Sequence, residues 1–276
     1  MKRPIFLTII LCLFLLFLTG CGAPQAVPDK TIEWLIDDYL KEYSYYGGEY
    51  TDYDADVKHD PDRETKTDTV TIDMTITYPH LVAETSYEAT YRYDKSKETW
   101  DVIRGGEWAP IHVKNYDMTD SLKLWLEAAQ GEGFEVTTQG ELGADMARSW
   151  LETAIGEASS SVEIPWCIQN YADAYGCDVT IMDLKLNSTE ESQSIFKKLE
   201  NHFAKVDLYN VYKFETDQGD NYEYSYFRNT NSDPHIMIIQ YEASVFLFYV
   251  NSSDSQTRYK MDQVLSQVGF VSKMGG

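Results

Sequence analysis

Positive charge is scarce in this sequence. Its 276 residues contain 23 lysines and arginines against 45 aspartates and glutamates, which gives a formal net charge of -22. A chain of this charge is repelled by polyanions, so the composition argues against nucleic acid as a partner and against attraction to anionic lipid headgroups. Any attachment to a membrane therefore has to come from something other than basic side chains.

The common sequence motifs of catalysis are missing. The chain has no Gly-x-Ser-x-Gly nucleophile elbow, no phosphate-cradling glycine loop and no Ser-x-x-Lys motif. The histidines form no His-x-x-x-His pair and have no cysteine close enough in sequence to suggest zinc. We therefore predict a protein without catalytic residues, metal or cofactor. The histidines concerned are His59, His80, His112, His202 and His235.

Cysteine is also rare, with four residues in the whole chain. Cys12 and Cys21 lie in or directly behind an apolar N-terminal run, which leaves Cys167 and Cys177 as a pair. Outside the cytoplasm such a pair can form a disulfide. If residues 167 to 177 formed one straight helix, the two Cα atoms would be about 15 Å apart, far beyond the limit of about 7 Å. A bridge thus requires a broken helix, and two buried thiols are the alternative.

The N-terminus contains the most informative pattern of the sequence. Lys2 and Arg3 precede an apolar run from Ile5 to Leu18, and Leu18-Thr19-Gly20-Cys21 follows. This arrangement resembles the signal peptide and lipobox of bacterial lipoproteins. The resemblance implies removal of residues 1-20, acylation of Cys21 with fatty acids such as palmitate, and a lipid-anchored position on the extracytoplasmic face of the cell membrane.

An uncleaved transmembrane anchor is the alternative, but the run from Ile5 to Leu18 would reach only about 20 Å as a helix, against a hydrocarbon core of about 30 Å. Cleavage would remove Lys2 and Arg3 and no acid, so the mature chain would carry 21 basic and 45 acidic residues, a net charge of -24. Residues 21-30, with two prolines among small residues, are predicted to be a tether.

Residues 31-114 are predicted to form a first small domain. Apolar residues at helical spacing between Ile32 and Leu40 indicate an amphipathic helix. Apolar and polar residues alternate from Val70 to Tyr78 and from Tyr87 to Val102, which indicates antiparallel strands with one solvent-exposed face. This order of elements resembles cystatin-like and NTF2-like modules, in which a helix lies in a curved antiparallel sheet. Because function varies widely within those families, the resemblance implies no activity.

Residues 115-276 are predicted to form a second domain. Helices are expected near residues 122-129, with Thr119 as N-cap, then at 142-155, at 195-203 behind a capping box from Ser188 to Glu191, and at 261-268. Strands are expected at 134-137, 179-186, 222-227, 236-241 and 245-250. The fold class is therefore α+β, with two mostly antiparallel sheets, each with helices packed on one face.

Two further groups of residues are candidate sites. Trp108 and Trp166 each lie near a proline outside regular periodicity, so both are candidates for an exposed contact with a ligand or partner. Asp52, Asp54 and Asp56 alternate like the first ligands of a calcium loop. The sixth and twelfth positions hold Val57 and Arg63 instead of glycine and an acid, so a solvated strand face is the favoured interpretation.

These observations together predict a non-catalytic binding or interaction module, anchored at the cell envelope, whose partner is an envelope protein or wall component. Two alternatives stay open. One is an envelope hydrolase that uses a pair of carboxylates, which would require two acids about 5 to 9 Å apart in a pocket. The other is the solute-binding component of a transporter, for which repeated β-α-β units would be expected.

Overall fold

The computed structural model describes residues 26-42, 49-138, 141-173, 176-205, 211-229, 234-251 and 254-270. The predicted signal peptide, the lipobox with Cys21 and the first half of the tether lie outside these residues. The helices are α1 (Asp29–Glu42), α2 (Ser121–Gly131), α3 (Glu141–Ile155), α4 (Thr189–Lys205) and α5 (Ser255–Gln267), with a 3-10 helix at Gly156–Ser161.

Twelve strands are formed by the described residues, in two antiparallel sheets, so the predicted α+β class is confirmed. The first sheet has the order β1-β2-β3-β4, and β5 also pairs with β3. Its strands are β1 (Asp52–Asp62), β2 (Thr67–Thr77), β3 (Leu81–Asp94), β4 (Thr99–Trp108) and β5 (His112–Tyr116). The second sheet contains β6 (Val136–Thr138), β7 (Glu163–Asp173), β8 (Gly176–Lys185), β9 (Val211–Gln218), β10 (Tyr222–Asn229), β11 (His235–Tyr241) and β12 (Ser244–Val250).

The described chain divides into two compact units. The first unit consists of residues 26-42, 53-75 and 84-111, and the remaining described residues form the second. In the first unit the alternation on β2 and β3 places one set of side chains in the core, including Ile72, Met74 and Tyr91. Helix α1 adds Ile32, Ile36 and Tyr39 to this unit's core, as its apolar spacing predicts.

The first described residues of this unit are already part of its fold. Val27 is 2% exposed, and its backbone N–H donates to the carboxylate of Asp68 over 2.8 Å. The same carboxylate, which is fully buried, lies 2.7 Å from the Nδ1 atom of His59. The predicted tether thus ends before residue 27, because a buried acid pairs with the backbone there.

The second unit is built on the seven-stranded sheet, whose order is β6-β7-β8-β12-β11-β10-β9. Strands β6, β7 and β8 are adjacent in the sheet, and α4 follows β8 in the chain. Strand β9 then lies at the opposite edge, and β10, β11 and β12 follow in order toward β8, with which β12 pairs. Ser188 caps α4, since its hydroxyl accepts from the N–H of Glu191 at 3.3 Å. The N-cap of α2 is Asp120, not the predicted Thr119.

Helices cover both faces of this sheet, whereas the sequence predicted one face. Leu247 and Val245 of β12 belong to a core cluster with Phe196 and Leu199 of α4 and Leu151 of α3. The alternate residues of β12 face the other way, because Phe248 lies 4.6 Å in ring-centre distance from Trp125 of α2. The physical reason is that β11 and β12 are apolar at almost every position and are therefore buried on both sides.

Candidate functional site

Trp108 and Trp166 both pack within the fold. Trp108, at the end of β4, is half-buried and has ring-centre distances of 4.2 Å to Tyr39 and 5.2 Å to Tyr87. Trp166 lies on β7, is 9% exposed and has its ring 6.1 Å from that of Phe246. The prediction that Trp166 is an exposed contact is therefore wrong, and Trp108 serves mainly to hold α1 against the sheet of the first unit.

Cys167 and Cys177 lie on the two strands of one hairpin. The register of β7 and β8 pairs Cys167 with Met182 and Cys177 with Tyr171. The two cysteines are thus about five residues apart along the hairpin, roughly 16 Å. A disulfide tolerates Cα separations of up to about 7 Å, so this register does not allow the bridge that the sequence left open. Cys167 is buried, and the side chain of Cys177 lies outside the described part of the chain.

Asp52, Asp54 and Asp56 lie at exposed positions of β1 and not in a calcium-binding loop. Alternate residues of a strand are about 6.6 Å apart along its axis and point outward in parallel, which does not surround an ion. Asp56 instead pairs with Lys58 at 2.8 Å. Among the described residues, no group of three or more acidic, histidine or cysteine side chains could hold a metal ion.

A buried carboxyl group in the second unit was not identified from the sequence. Asp183 of β8 is 5% exposed and stands between Trp166 of β7 and Phe246 of β12, its direct neighbours on both sides. Burial raises the pKa of Asp183 to about 6, although the charge of Lys185 and hydrogen bonds from Ser244 and Trp166 act in the opposite direction. One carboxyl oxygen, Oδ1, has no hydrogen-bond partner among the described residues.

One concave surface of the second unit is lined mainly by acidic and polar side chains. It has a volume of about 250 Å³ and lies beside the start of α2. Asp117 accepts from the hydroxyl and the N–H of Thr119 at 2.6 and 3.1 Å, and these hydrogen bonds lower the pKa of Asp117. The other polar residues of the lining are His80, Thr119, Asp120, Lys123 and Glu127.

A second concave surface, which we call the cationic groove, lies between α3 and α4. Its volume is about 490 Å³, and it is lined by Ala154, Ile155, Lys198, Asn201, His202 and Lys205. The four residues from α4 are spaced at i, i+3, i+4 and i+7, which places them on one face of the helix. Burial lowers the pKa of His202, so this imidazole is neutral at pH 7.

The two carboxyl groups described above, Asp183 and Asp117, do not line the same surface. A carboxyl group that serves as general acid must keep its proton near neutral pH, and among the described carboxyl groups Asp183 comes closest to this condition. Asp183 is buried between Trp166 and Phe246 and lines neither concave surface. Asp117 does line one, but its lowered pKa keeps it ionised and unable to donate a proton.

The chain has no match to a known family, and no curated protein matches it. Within the described residues, no helix has both the length and the apolar character needed to cross a membrane.

Proposed function

We propose that this protein is a lipid-anchored lipoprotein on the extracytoplasmic face of a bacterial membrane, where it acts without catalysis as a binding module for an envelope protein or wall component. The lipobox ending at Cys21 supports the anchor. The excess of acidic residues leaves acyl chains as the means of attachment, because a chain with this net charge gains no attraction from anionic headgroups.

The observation that carries the binding role is the separation of the titratable groups. Asp183, whose pKa is raised, is buried away from both concave surfaces, and Asp117, which is accessible, has a lowered pKa. A glycosidase-like mechanism needs a protonated acid and an ionised carboxylate facing the same substrate. The described residues offer surfaces suited to contact rather than to proton transfer.

A protein partner is favoured by strand β4 of the first unit. This strand ends the path of its sheet and pairs with β3 on one side. Val102 and Ile103 lie at a shift in the register and are 49% and 46% exposed. An edge strand with exposed apolar side chains can accept an extended segment from another protein, whose main chain then continues the sheet.

In-cell crosslinking of the tagged protein, followed by mass spectrometry, tests this proposal. We expect the wild-type chain to capture one envelope protein, and Cys21→Ser, which cannot be acylated, to lose it. Val102→Ser combined with Ile103→Ser should weaken the capture, whereas Tyr259→Ser, which removes an exposed ring from the other unit, should not. Equal capture by Cys21→Ser would contradict the anchored interaction, and enrichment of no protein would exclude an envelope protein as the partner and leave the wall component.

A further inference from the structure

The cationic groove is unusual because of the charge that lines it. Of the six described residues that line it, two are lysines and none is an acid, although acids outnumber bases almost two to one in the chain. Lys198 and Lys205 are seven residues apart on α4, so their Cα atoms are separated by about 10 Å along the helix axis. Both side chains are exposed at the same face.

Neither ammonium group is neutralised by a neighbour that the structure describes. Lys198 and Lys205 form no ion pair with any of the described residues. The adjacent Lys197 behaves differently, since it forms ion pairs with Glu200, at 3.2 Å, and with Glu223. On the same helix, therefore, the lysine outside the groove is paired with acids, whereas the two lysines inside it pair with no acid that the structure describes.

The opposite wall of the groove is apolar and firmly supported. Ala154 and Ile155 of α3 pack against the core cluster of the second unit, as does Trp150. The Trp150 ring lies 5.8 Å from that of Phe203 and 6.4 Å from the imidazole of His202. Because these contacts hold the wall in place, the groove combines a fixed apolar surface with two exposed cationic side chains.

The size of the groove indicates the size of its ligand. A volume of about 490 Å³ falls within the range of roughly 300 to 1,000 Å³ that is typical of small-molecule sites. A polyanion or an anionic membrane would extend beyond the groove and meet the negative charge of the rest of the protein. A small anion is exposed mainly to the two local lysines, because salt screens more distant charges over about 8 Å.

We propose that the cationic groove binds a small organic anion, namely a phosphate or carboxylate group carried on a compact apolar body. The ammonium groups of Lys198 and Lys205 bind the anionic group, and the apolar body packs on Ala154 and Ile155. The imidazole of His202 lines the groove between the two lysines. This site goes beyond the proposed partner binding and depends on neither the anchor nor strand β4.

Ligand-observed NMR on the full chain, purified in a nonionic detergent, tests the site with three probes. Phenyl phosphate and benzoate each carry an anion on a ring, and phenol carries the ring alone. We expect binding of phenyl phosphate, benzoate or both, with no detectable binding of phenol. If one of the two anions binds at least tenfold more tightly, that difference identifies phosphate or carboxylate as the group the site prefers.

The decisive variant is Lys198→Gln combined with Lys205→Gln, which removes both charges from exposed positions. Two exposed charge contacts together account for about a 2- to 30-fold change in affinity. The matched control is Lys30→Gln combined with Lys95→Gln, which makes the same change in net charge in the first unit and should leave the affinity unchanged. The proposal is overturned if no probe binds, if phenol binds equally well, or if both double variants bind alike.

Discussion

Replacement of Asp183 by asparagine should change how the stability of the protein depends on pH. The side chain is almost fully buried between Trp166 and Phe246, and its charged form is disfavoured there because few groups replace its water. Asparagine keeps the shape and an oxygen that can accept the hydrogen bonds from Ser244 and Trp166. It removes only the ionisation.

The magnitude follows from the pKa of Asp183, which rises from an ordinary 3.8 to about 6 in the folded protein. Between these values the unfolded chain has released its proton while the folded chain still holds it. Each pH unit in this interval therefore lowers the free energy of unfolding by about 1.4 kcal/mol. The total loss of free energy of unfolding reaches about 3 kcal/mol above pH 6. It disappears below about pH 4, where Asp183 is protonated in both the folded and the unfolded chain.

We expect the free energy of unfolding of Asp183→Asn, relative to wild type, to increase by about 3 kcal/mol between pH 4 and pH 7. If the NH₂ group of the asparagine takes the position of Oδ1, it is a buried donor without a partner and lowers the free energy of unfolding by about 1 to 3 kcal/mol. This loss is independent of pH. Measurement across pH therefore separates the pH-dependent gain in stability from the constant loss caused by the amide group.

The assay is urea unfolding followed by tryptophan fluorescence and far-UV circular dichroism at pH 4, 5, 6 and 7. Asp120→Asn serves as the control, because it makes the same chemical change at an exposed position of the second unit. Its difference from wild type should stay within about 0.5 kcal/mol. A difference for Asp183→Asn that is constant from pH 4 to pH 7 would refute the reasoning.

Two matched pairs of substitutions test the packing. Gly105→Ala should lower the free energy of unfolding more than Gly156→Ala. The two glycines have similar positive φ values, +68° and +65°, so the strain from φ is about equal at both. They differ in space, because a Cβ at Gly105 would lie 2.3 Å from a backbone carbonyl oxygen, whereas nothing lies within 4 Å of a Cβ at Gly156. We expect about 1 to 2 kcal/mol at Gly156 and at least about 1 kcal/mol more at Gly105, measured by urea unfolding; equal costs would contradict a close backbone approach at Gly105. Trp125→Ala should cost about 3 to 5 kcal/mol, since this ring is fully buried, whereas Trp34→Ala, at a side chain 63% exposed, should change the stability by less than about 0.5 kcal/mol. A large cost for Trp34→Ala would place that ring in a contact within the fold.

Most helices and strands were predictable because their apolar residues recur with a clear period. Helix α1 and strands β2 and β3 follow this pattern closely. The second face of the larger sheet was missed for a physical reason. Strands β11 and β12 lack alternation because both of their faces are buried, and this absence of polar positions is itself the signal for helices on both sides.

Strand β7 was missed because Pro165 and Trp166 interrupt any simple pattern. The structure accommodates the proline at a register shift between Glu163 and Trp166, and the strand continues on both sides. Strand β1 was not predicted because it is highly charged, has no apolar run and has eight of its eleven residues exposed.

The candidate sites were harder to predict from the sequence than the fold was. Asp183 could have been identified as a single acid inside the apolar run from Val179 to Leu186, a position typical of a buried carboxyl group. The spacing of Lys198 and Lys205 shows that they share a helix face. No pattern in the sequence indicates that α3 places an apolar wall opposite them, because that contact joins segments more than forty residues apart.

Mass spectrometry of the N-terminal peptide tests whether the protein is processed and anchored through Cys21. The protein would be purified from bacterial membranes and digested with trypsin. Our account predicts a lipid-modified peptide that begins at Cys21 and ends at Lys30, with residues 1-20 removed. An unmodified peptide that continues from the apolar run through Cys21 would contradict it.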